Sequence, residues 1–373
     1  MSTVYRRLQQ RLDELPVPFP ASETGSEIRL LEALFSEREA EVAVHLSAVP
    51  EPVETIQRRV LHLVADRRAL SAMLEALAGR GAINSTVPRG PRRLGAGSRE
   101  RRYGLAPLVV GMFEFQVDKL TPQFVRDFHD YSDHGFREVV VGGPTPQLRT
   151  VPVGAAISGT RAVGSYDDIR AYIRNSPGPF AVMNCVCRQS AELIGEAFTT
   201  SSTHETCLTV GSAAASTVMG GASRRISRDE VIAILDRAER EGHVLQPQNS
   251  REPAFICCCC RDCCEVLRNA RKLPRPSDAI PTTHRAAIDL RACTTCGACV
   301  TRCPMEAIEL AGEGAQSGAR VMEDRCIGCG VCVATCPTDA IRLERREDAR
   351  KPPRTTDAMY LRMFRDRFGL LGV

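Results

Sequence analysis

The chain has 373 residues, a formal net charge of +4 and 43% hydrophobic residues. That length suits two or three domains, and the charge argues neither for nor against nucleic acid. No apolar run approaches the ~20 residues needed to span a bilayer, and no signal-like stretch follows Met1–Arg7, so the sequence predicts a cytoplasmic protein without membrane insertion. Trp is absent, and only three of the 49 Lys and Arg residues are lysines, an imbalance that reads as a codon-usage trait. Seventeen cysteines dominate the composition, none before Cys185. In a chain kept reduced, that number points to metal ligation rather than disulfides.

Taken in chain order, Ile28, Leu31, Leu34 and Phe35 recur at helical spacing. Ser36 with Glu39 is a capping box opening a second helix through Val42 and Leu46. Val53, Ile56, Val60, Leu61 and Val64 mark a third helix beyond Pro50 and Pro52. Leu70, Met73, Leu74 and Leu77 mark a fourth, with Gly79 as the predicted C-cap. Gly81–Asn84 then begins a short wing. This pattern resembles a winged-helix domain over 1–84. DNA contact is not favoured over a helical packing module, because no base-reading side chains can be identified. Residues 85–104, with six arginines, four glycines and two prolines, read as a linker.

Residues 105–272 alternate between strand-like and helical patterns and predict a cysteine-rich α/β domain. Leu108–Val110 and Glu138–Val141 read as buried strands, and Tyr166–Ile173 as a helix. Pro179–Met183 reads as a strand leading into the first cysteines. Ser227 with Glu230 caps a helix with an apolar face of Val231, Ile234, Leu235 and Ala238, ended by Gly242. Val244–Leu245 and Ala254–Ile256 are strand-like.

The strongest motif is repeated. Cys293, Cys296, Cys299 and Cys303 precede Pro304, and Cys326, Cys329, Cys332 and Cys336 precede Pro337. Both runs fit C-x₂-C-x₂-C-x₃-C-P, and the flanking Ala307-Ile308 and Ala340-Ile341 extend the repeat. Three thiolates two residues apart let one loop wrap a cubane face. The fourth cysteine is expected at the start of a short helix opened by the proline. Gly297 and Gly330, lacking Cβ, let backbone N–H groups approach the sulfurs. Zinc sites favour paired C-x₂-C knuckles instead. The spacing resembles two-cluster bacterial ferredoxins, over 280–347. That resemblance implies two [4Fe–4S] clusters with crossed ligation, Cys293, Cys296, Cys299 and Cys336 holding one, and Cys326, Cys329, Cys332 and Cys303 the other.

Nine further cysteines lie upstream. Cys185 and Cys187 follow a predicted strand, Cys207 follows at a distance, and Cys257–Cys260, Cys263 and Cys264 fall within eight residues. In a strand, Cys257 and Cys259 share one face and Cys258 and Cys260 the other. Three strand-ending segments can meet at one sheet edge. The candidate is a third iron–sulfur cluster or metal ion drawing on Cys185, Cys187, Cys207, Cys257, Cys259, Cys260, Cys263 and Cys264, with Arg188 and Arg261 beside it. The alternative is a set of buried thiols.

The arrangement of Gly111–Gln116, Cys185-Val186-Cys187-Arg188, Arg225–Glu230, the dense cysteines and the dicluster repeat resembles ferredoxin-type iron–sulfur proteins of anaerobes. It departs from them at Asp262, where another cysteine is expected. The expected fold class is α+β and multidomain, ending in a tail over 348–373. No G-x₄-G-K-[ST] occurs, and Gly95-Ala96-Gly97 lacks the third glycine and the strand of a dinucleotide fingerprint. His129, His134, His204 and His243 are scattered, so no catalytic residue is identified. An electron-transfer protein or oxidoreductase component with a protein redox partner is expected ahead of a redox-sensing DNA-binding regulator.

Overall fold

A computed structural model describes residues 3–86, 100–141, 143–157, 166–196, 199–312 and 317–369. Most of the predicted linker (87–99), Gly95–Gly97 included, lies outside these residues. The chain divides into two compact units, Met1–Val139 and Val140–Val373. Residues 105–139, expected with the cysteine-rich domain, therefore group with the N-terminal helices.

The first unit contains α1 (Thr3–Asp13), α2 (Ser26–Leu34), α3 (Glu37–Ala43), β1 (Glu51–Pro52), α4 (Val53–Val60), α5 (Arg67–Arg80), β2 (Ile83–Thr86), β3 (Arg102–Leu105) and α6 (Pro122–Tyr131). Ser36 and Glu39 close a reciprocal capping box on α3. The α5 helix runs past Gly79 and stops at Gly81, whose φ of 79° suits the left-handed cap. The three strands form an antiparallel sheet in the order β1-β3-β2.

Two predicted strands are not strands. Leu108–Met112 forms a wide turn, with Val110 left-handed at φ 52° and the Phe113 amide donating to Leu108 O at 2.8 Å. Pro107, just before it, has no N–H to give a ladder. Glu138–Val141 lies in α7 (Arg137–Val141). Arg137 at its start pairs with Asp133 across a kink at His134 and Gly135.

The second unit contains α8 (Gly154–Ile157), α9 (Ile169–Asn175), β4 (Phe180–Asn184), α10 (Val186–Leu193), β5 (Glu205–Val210), α11 (Ser212–Met219), β6 (Arg224–Ile226), α12 (Arg228–Glu241), β7 (Val244–Pro247) and β8 (Phe255–Cys259). After these come α13 (Glu265–Arg271), α14 (Pro276–Ala279), β9 (His284–Ile288), α15 (Ala298–Arg302), β10 (Ile308–Ala311), β11 (Gly318–Val321), β12 (Ile341–Arg345) and α16 (Thr356–Phe368). Five strands pair antiparallel throughout in the order β6-β4-β5-β8-β7, so this part is α+β rather than α/β. The α12 helix is capped by Ser227, ends at Gly242 with φ 78°, and buries Val231, Ile234, Leu235 and Ala238.

In the C-terminal repeat, β9 pairs with β12 and β10 with β11. The repeat does not stand apart from the five-stranded sheet. Val153, Leu245, Cys259 and Cys264 share one core with Cys303, Met305, Ile327 and Cys329. The predicted boundary between 272 and 280 therefore falls within a continuous core. The predicted tail contains α16, which docks through Met359, fully buried, and a 2.7 Å hydrogen bond from Thr356 Oγ1 to Gln248 Oε1. No described helix is long and apolar enough to cross a membrane.

Candidate metal centres

The two cysteine loops of the repeat share their backbone turns. Thr295 and Gly297 have φ of 58° and 73°, and the equivalent Gly328 and Gly330 have 63° and 74°. Two left-handed residues per loop turn the chain around a common centre. The short helical elements come before the fourth cysteines rather than after them. Cys303 ends α15 and Cys336 ends a 3₁₀ turn over Val333–Thr335. Each proline then prevents continuation rather than opening a helix.

These turns build two cavities. One is lined by Cys293, Cys296, Cys299 and Cys336. The other is lined by Cys303, Cys326, Cys329 and Cys332. Backbone N–H groups point at the sulfurs: Ala307 donates to Cys303 Sγ at 3.2 Å and Ala286 to Cys326 Sγ at 3.5 Å. Burial pushes the Cys303, Cys329 and Cys332 thiols up, so ligation there must expel protons. At Cys336, burial also raises the pKa, but N–H groups of Thr338, Ala340 and Ile341 outweigh it. Cys296 is exposed, whereas all four cysteines of the second cavity are buried.

Residues 285–351 match the family of 4Fe-4S dicluster domains. Iron–sulfur binding thus belongs to this part of the chain, with the electron-transfer role such domains serve. The match stops short of the upstream cysteines. No curated protein matches the chain.

Upstream of the dicluster domain, the five-stranded sheet gathers six cysteines. Cys207 on β5 lies opposite Cys257 on β8, and Cys257 and Cys259 share a face. Cys185 caps the start of α10, Cys187 lies in its first turn, and Cys264 caps the start of α13. The six sulfurs lie in a close series, Cys185–Cys187–Cys264–Cys259–Cys257–Cys207. Their acidities split within it. The neighbouring Cys207 and Cys259 hold the Cys257 thiol well below the ordinary value, and Cys187 and Cys259 do the same for Cys264. Cys187 and Cys259, each flanked by two such thiols, are pushed well above it. Closely packed thiols cannot all ionise unless a cation joins them.

The other three upstream cysteines stand apart. Cys258 faces the opposite side of β8, where burial pushes its thiol up to about 12. Cys260 and Cys263, expected with the others, bond to each other and pack on Ala191. Between them, Asp262 accepts from Thr199 N at 2.7 Å, Thr200 N at 3.2 Å and Thr200 Oγ1 at 2.8 Å. A carboxylate at the position where a cysteine is expected therefore braces a neighbouring segment.

Arg188 is fully buried beside this series. Its guanidinium donates to Thr203 O at 2.9 Å, Cys258 O at 3.2 Å and Thr206 Oγ1, and lies 3.5 Å from His243 Nε2. The three oxygens are neutral acceptors, His243 Nε2 gives its own hydrogen to Thr200 O at 2.8 Å, and the Arg188 Nε has no partner. Among the described residues no carboxylate pairs with it. Its positive charge instead acts on Cys185, Cys257 and Cys258. Two neighbours escaped the sequence reading. Gln246 Oε1 sits 3.9 Å from Cys264 Sγ, and Arg271 ends α13. Neither carries a motif that could have marked it.

Proposed function

We propose that the chain is an iron–sulfur electron-transfer protein, or a component of an oxidoreductase, that carries two [4Fe–4S] clusters in its dicluster domain and a third metal centre on the six-cysteine face. The observation that carries the reading is the 3+1 grouping of the cysteines around two cavities. Cys293, Cys296 and Cys299 meet Cys336, and Cys326, Cys329 and Cys332 meet Cys303. Four thiols around a confined space, with N–H donors on the sulfurs, fit a cubane, and such donors favour its reduced form. A bound [4Fe–4S] cluster supplies one-electron chemistry; the chain supplies thiolates, N–H groups and exclusion of water.

The third centre rests on Arg188. A fully buried guanidinium without a carboxylate is costly unless an anion lies nearby, and metal-bound thiolates supply that anion. Neutral buried thiols would leave the cation uncompensated. Six thiols exceed what one four-ligand centre requires, and Cys185, Cys187, Cys264, Cys259, Cys257 and Cys207 are all candidates.

A second reading, a redox-sensing DNA-binding regulator, is supported by the order of elements in the first unit. There α3, β1, α4, α5, β2 and β3 follow a winged-helix sequence with the sheet order β1-β3-β2. Electron transfer is preferred because no base-reading side chain stands out on α5.

The test is anaerobic reconstitution of the full chain with iron and sulfide counts. Two clusters require roughly eight irons, and the third centre adds metal beyond them. With Cys303→Ala, the cluster of Cys326, Cys329 and Cys332 should be the one perturbed. A zinc-only protein would overturn the proposal. Sequence-specific DNA binding near 10⁻⁸ M, lost on oxidation, would favour the second reading.

A further inference from the structure

Two arginines occupy the seam between the six-cysteine face and the cavity built on Cys303. Arg271, at the end of α13, donates through Nη1 to Arg261 O at 2.7 Å and to Pro304 O at 3.0 Å. Arg261, between Cys260 and Asp262, donates to Thr301 O. Both side chains of the upstream domain therefore hold backbone on either side of Cys303. Among the described residues the carboxylate paired with them is Glu306, 3.8 Å from Arg261 and itself largely exposed. Arg271 feels Glu306, Arg261 and the Cys264 thiolate, while Arg261 acts on Cys303.

The Arg261 charge opposes that of half-buried Arg271, and a nearby anion offsets it. The anions on offer are Cys264 on one side and Cys303 on the other, 3% and 7% exposed. The Cys329 loop is also tied to the edge strand of the sheet: the Val153 amide donates to Cys329 O at 3.0 Å, and Val151 pairs with Leu245 of β7.

We propose that Arg261 and Arg271 couple the six-cysteine site to the site of Cys303, Cys326, Cys329 and Cys332, so that negative charge at either is felt at the other. They act as positioning residues with a shared countercharge. The inference rests on the third-centre reading for one partner and on the dicluster domain for the other. Coupling of this kind is reciprocal: whatever the six-cysteine site does to the reduction of the Cys303 site, the converse holds with equal free energy.

The experiment is a potentiometric titration of the full-length, anaerobically reconstituted protein, followed by electron paramagnetic resonance. A Cys329→Ser variant assigns which signal belongs to the Cys303 site. Arg271→Met removes the charge while keeping length, and should lower the reduced-to-oxidised ratio of that cluster roughly tenfold at fixed potential, a shift of about 59 mV for one electron. The other cluster should hardly move, and Arg271→Lys should restore most of the shift. Cys264→Ser should move the same cluster, and its effect should shrink in the Arg271→Met background. Equal shifts of both clusters, or strictly additive effects of the two substitutions, would overturn the coupling. If the reconstituted full chain holds no metal beyond that of the dicluster domain, the third-centre reading fails, while the Arg271→Met shift still tests the seam.

Discussion

Replacing Arg188 with Met tests whether the six-cysteine face is anionic. The side chain is 0% exposed and holds Thr203 O, Cys258 O and Thr206 Oγ1. Losing those donors leaves buried acceptors unpaired, at roughly 1–3 kcal/mol each, whether or not metal is bound. The charge behaves differently in the two forms. With metal-bound thiolates beside it, deleting the cation breaks a buried charge pair, which costs about 3–5 kcal/mol more. In the metal-free protein the packed thiols cannot all ionise, so fewer thiolates face the cation and the same deletion loses less of this pairing. The metal-loaded form should therefore lose more stability than the stripped form, by up to about 3 kcal/mol, which lowers metal affinity by up to roughly two decades. Urea unfolding of loaded and chelator-stripped protein, with a chelator competition, reads both quantities. Arg188→Lys should keep much of the charge effect while losing hydrogen bonds. Equal losses in the two forms would refute the charge argument and leave Arg188 as a backbone brace among ordinary thiols.

Gly330→Ala should destabilise the dicluster domain more than Gly297→Ala. Both glycines are left-handed, with φ of 74° and 73°, but a Cβ at Gly330 would meet Ala156 Cβ at 2.4 Å, whereas at Gly297 only Leu310 lies within reach, at 3.9 Å. The shared strain is about 1–2 kcal/mol, and overpacking adds roughly 1–3 kcal/mol at Gly330 alone. Thermal unfolding checks the difference, and equal losses would show that the Ala156 contact yields freely. His243 should make the fold acid-sensitive. Burial, then the nearby Arg188, pushes its pKa down to about 4, below the ordinary 6.5. The unfolded chain therefore takes up a proton first, so stability is full above pH 6.5 and falls towards pH 4, by about 3 kcal/mol in total. His243→Gln should flatten this part of the urea midpoint profile between pH 7 and 5. An unchanged slope would refute the assignment.

Local rules made much of the fold legible. The Ser36–Glu39 box, the Ser227 cap and the Gly242 stop are each decided within a few residues, and the structure places them where the sequence does. The cysteine repeat was equally legible, since its spacing fixes a loop around one centre. The failures are those of neighbours. The three valines of 139–141 favour a strand by propensity, and no cap or period in the sequence marks the short helix they join instead. The spread of the upstream cysteines turned on strand register. Parity along β8 separates Cys258 from Cys257 and Cys259, but only pairing with β5 brings Cys207 opposite Cys257. That Cys260 turns away to Cys263 depends on the loop after β8, which has no periodicity to read.

The same limit applies to charge. Counted along the sequence, arginine-rich composition reads as background, because a cation matters only through what surrounds it. Arg188 and Arg271 show why arginine rather than lysine is needed at these two positions. Each fans several N–H donors onto carbonyl oxygens while keeping a charge that cannot be shed by deprotonation. Metal-bound thiolates would keep a lysine at position 188 charged, but in the metal-free form it could lose its proton and remove the demand for an anion. An arginine has no such escape. Thiols packed in series have the converse difficulty, because they cannot all ionise without a cation. Each group is costly alone, and the two costs cancel only when metal-bound thiolates and guanidinium are present together. On this logic the β5–β8 cysteines and Arg188 form one folding unit, and metal content and stability of the second unit should rise and fall together.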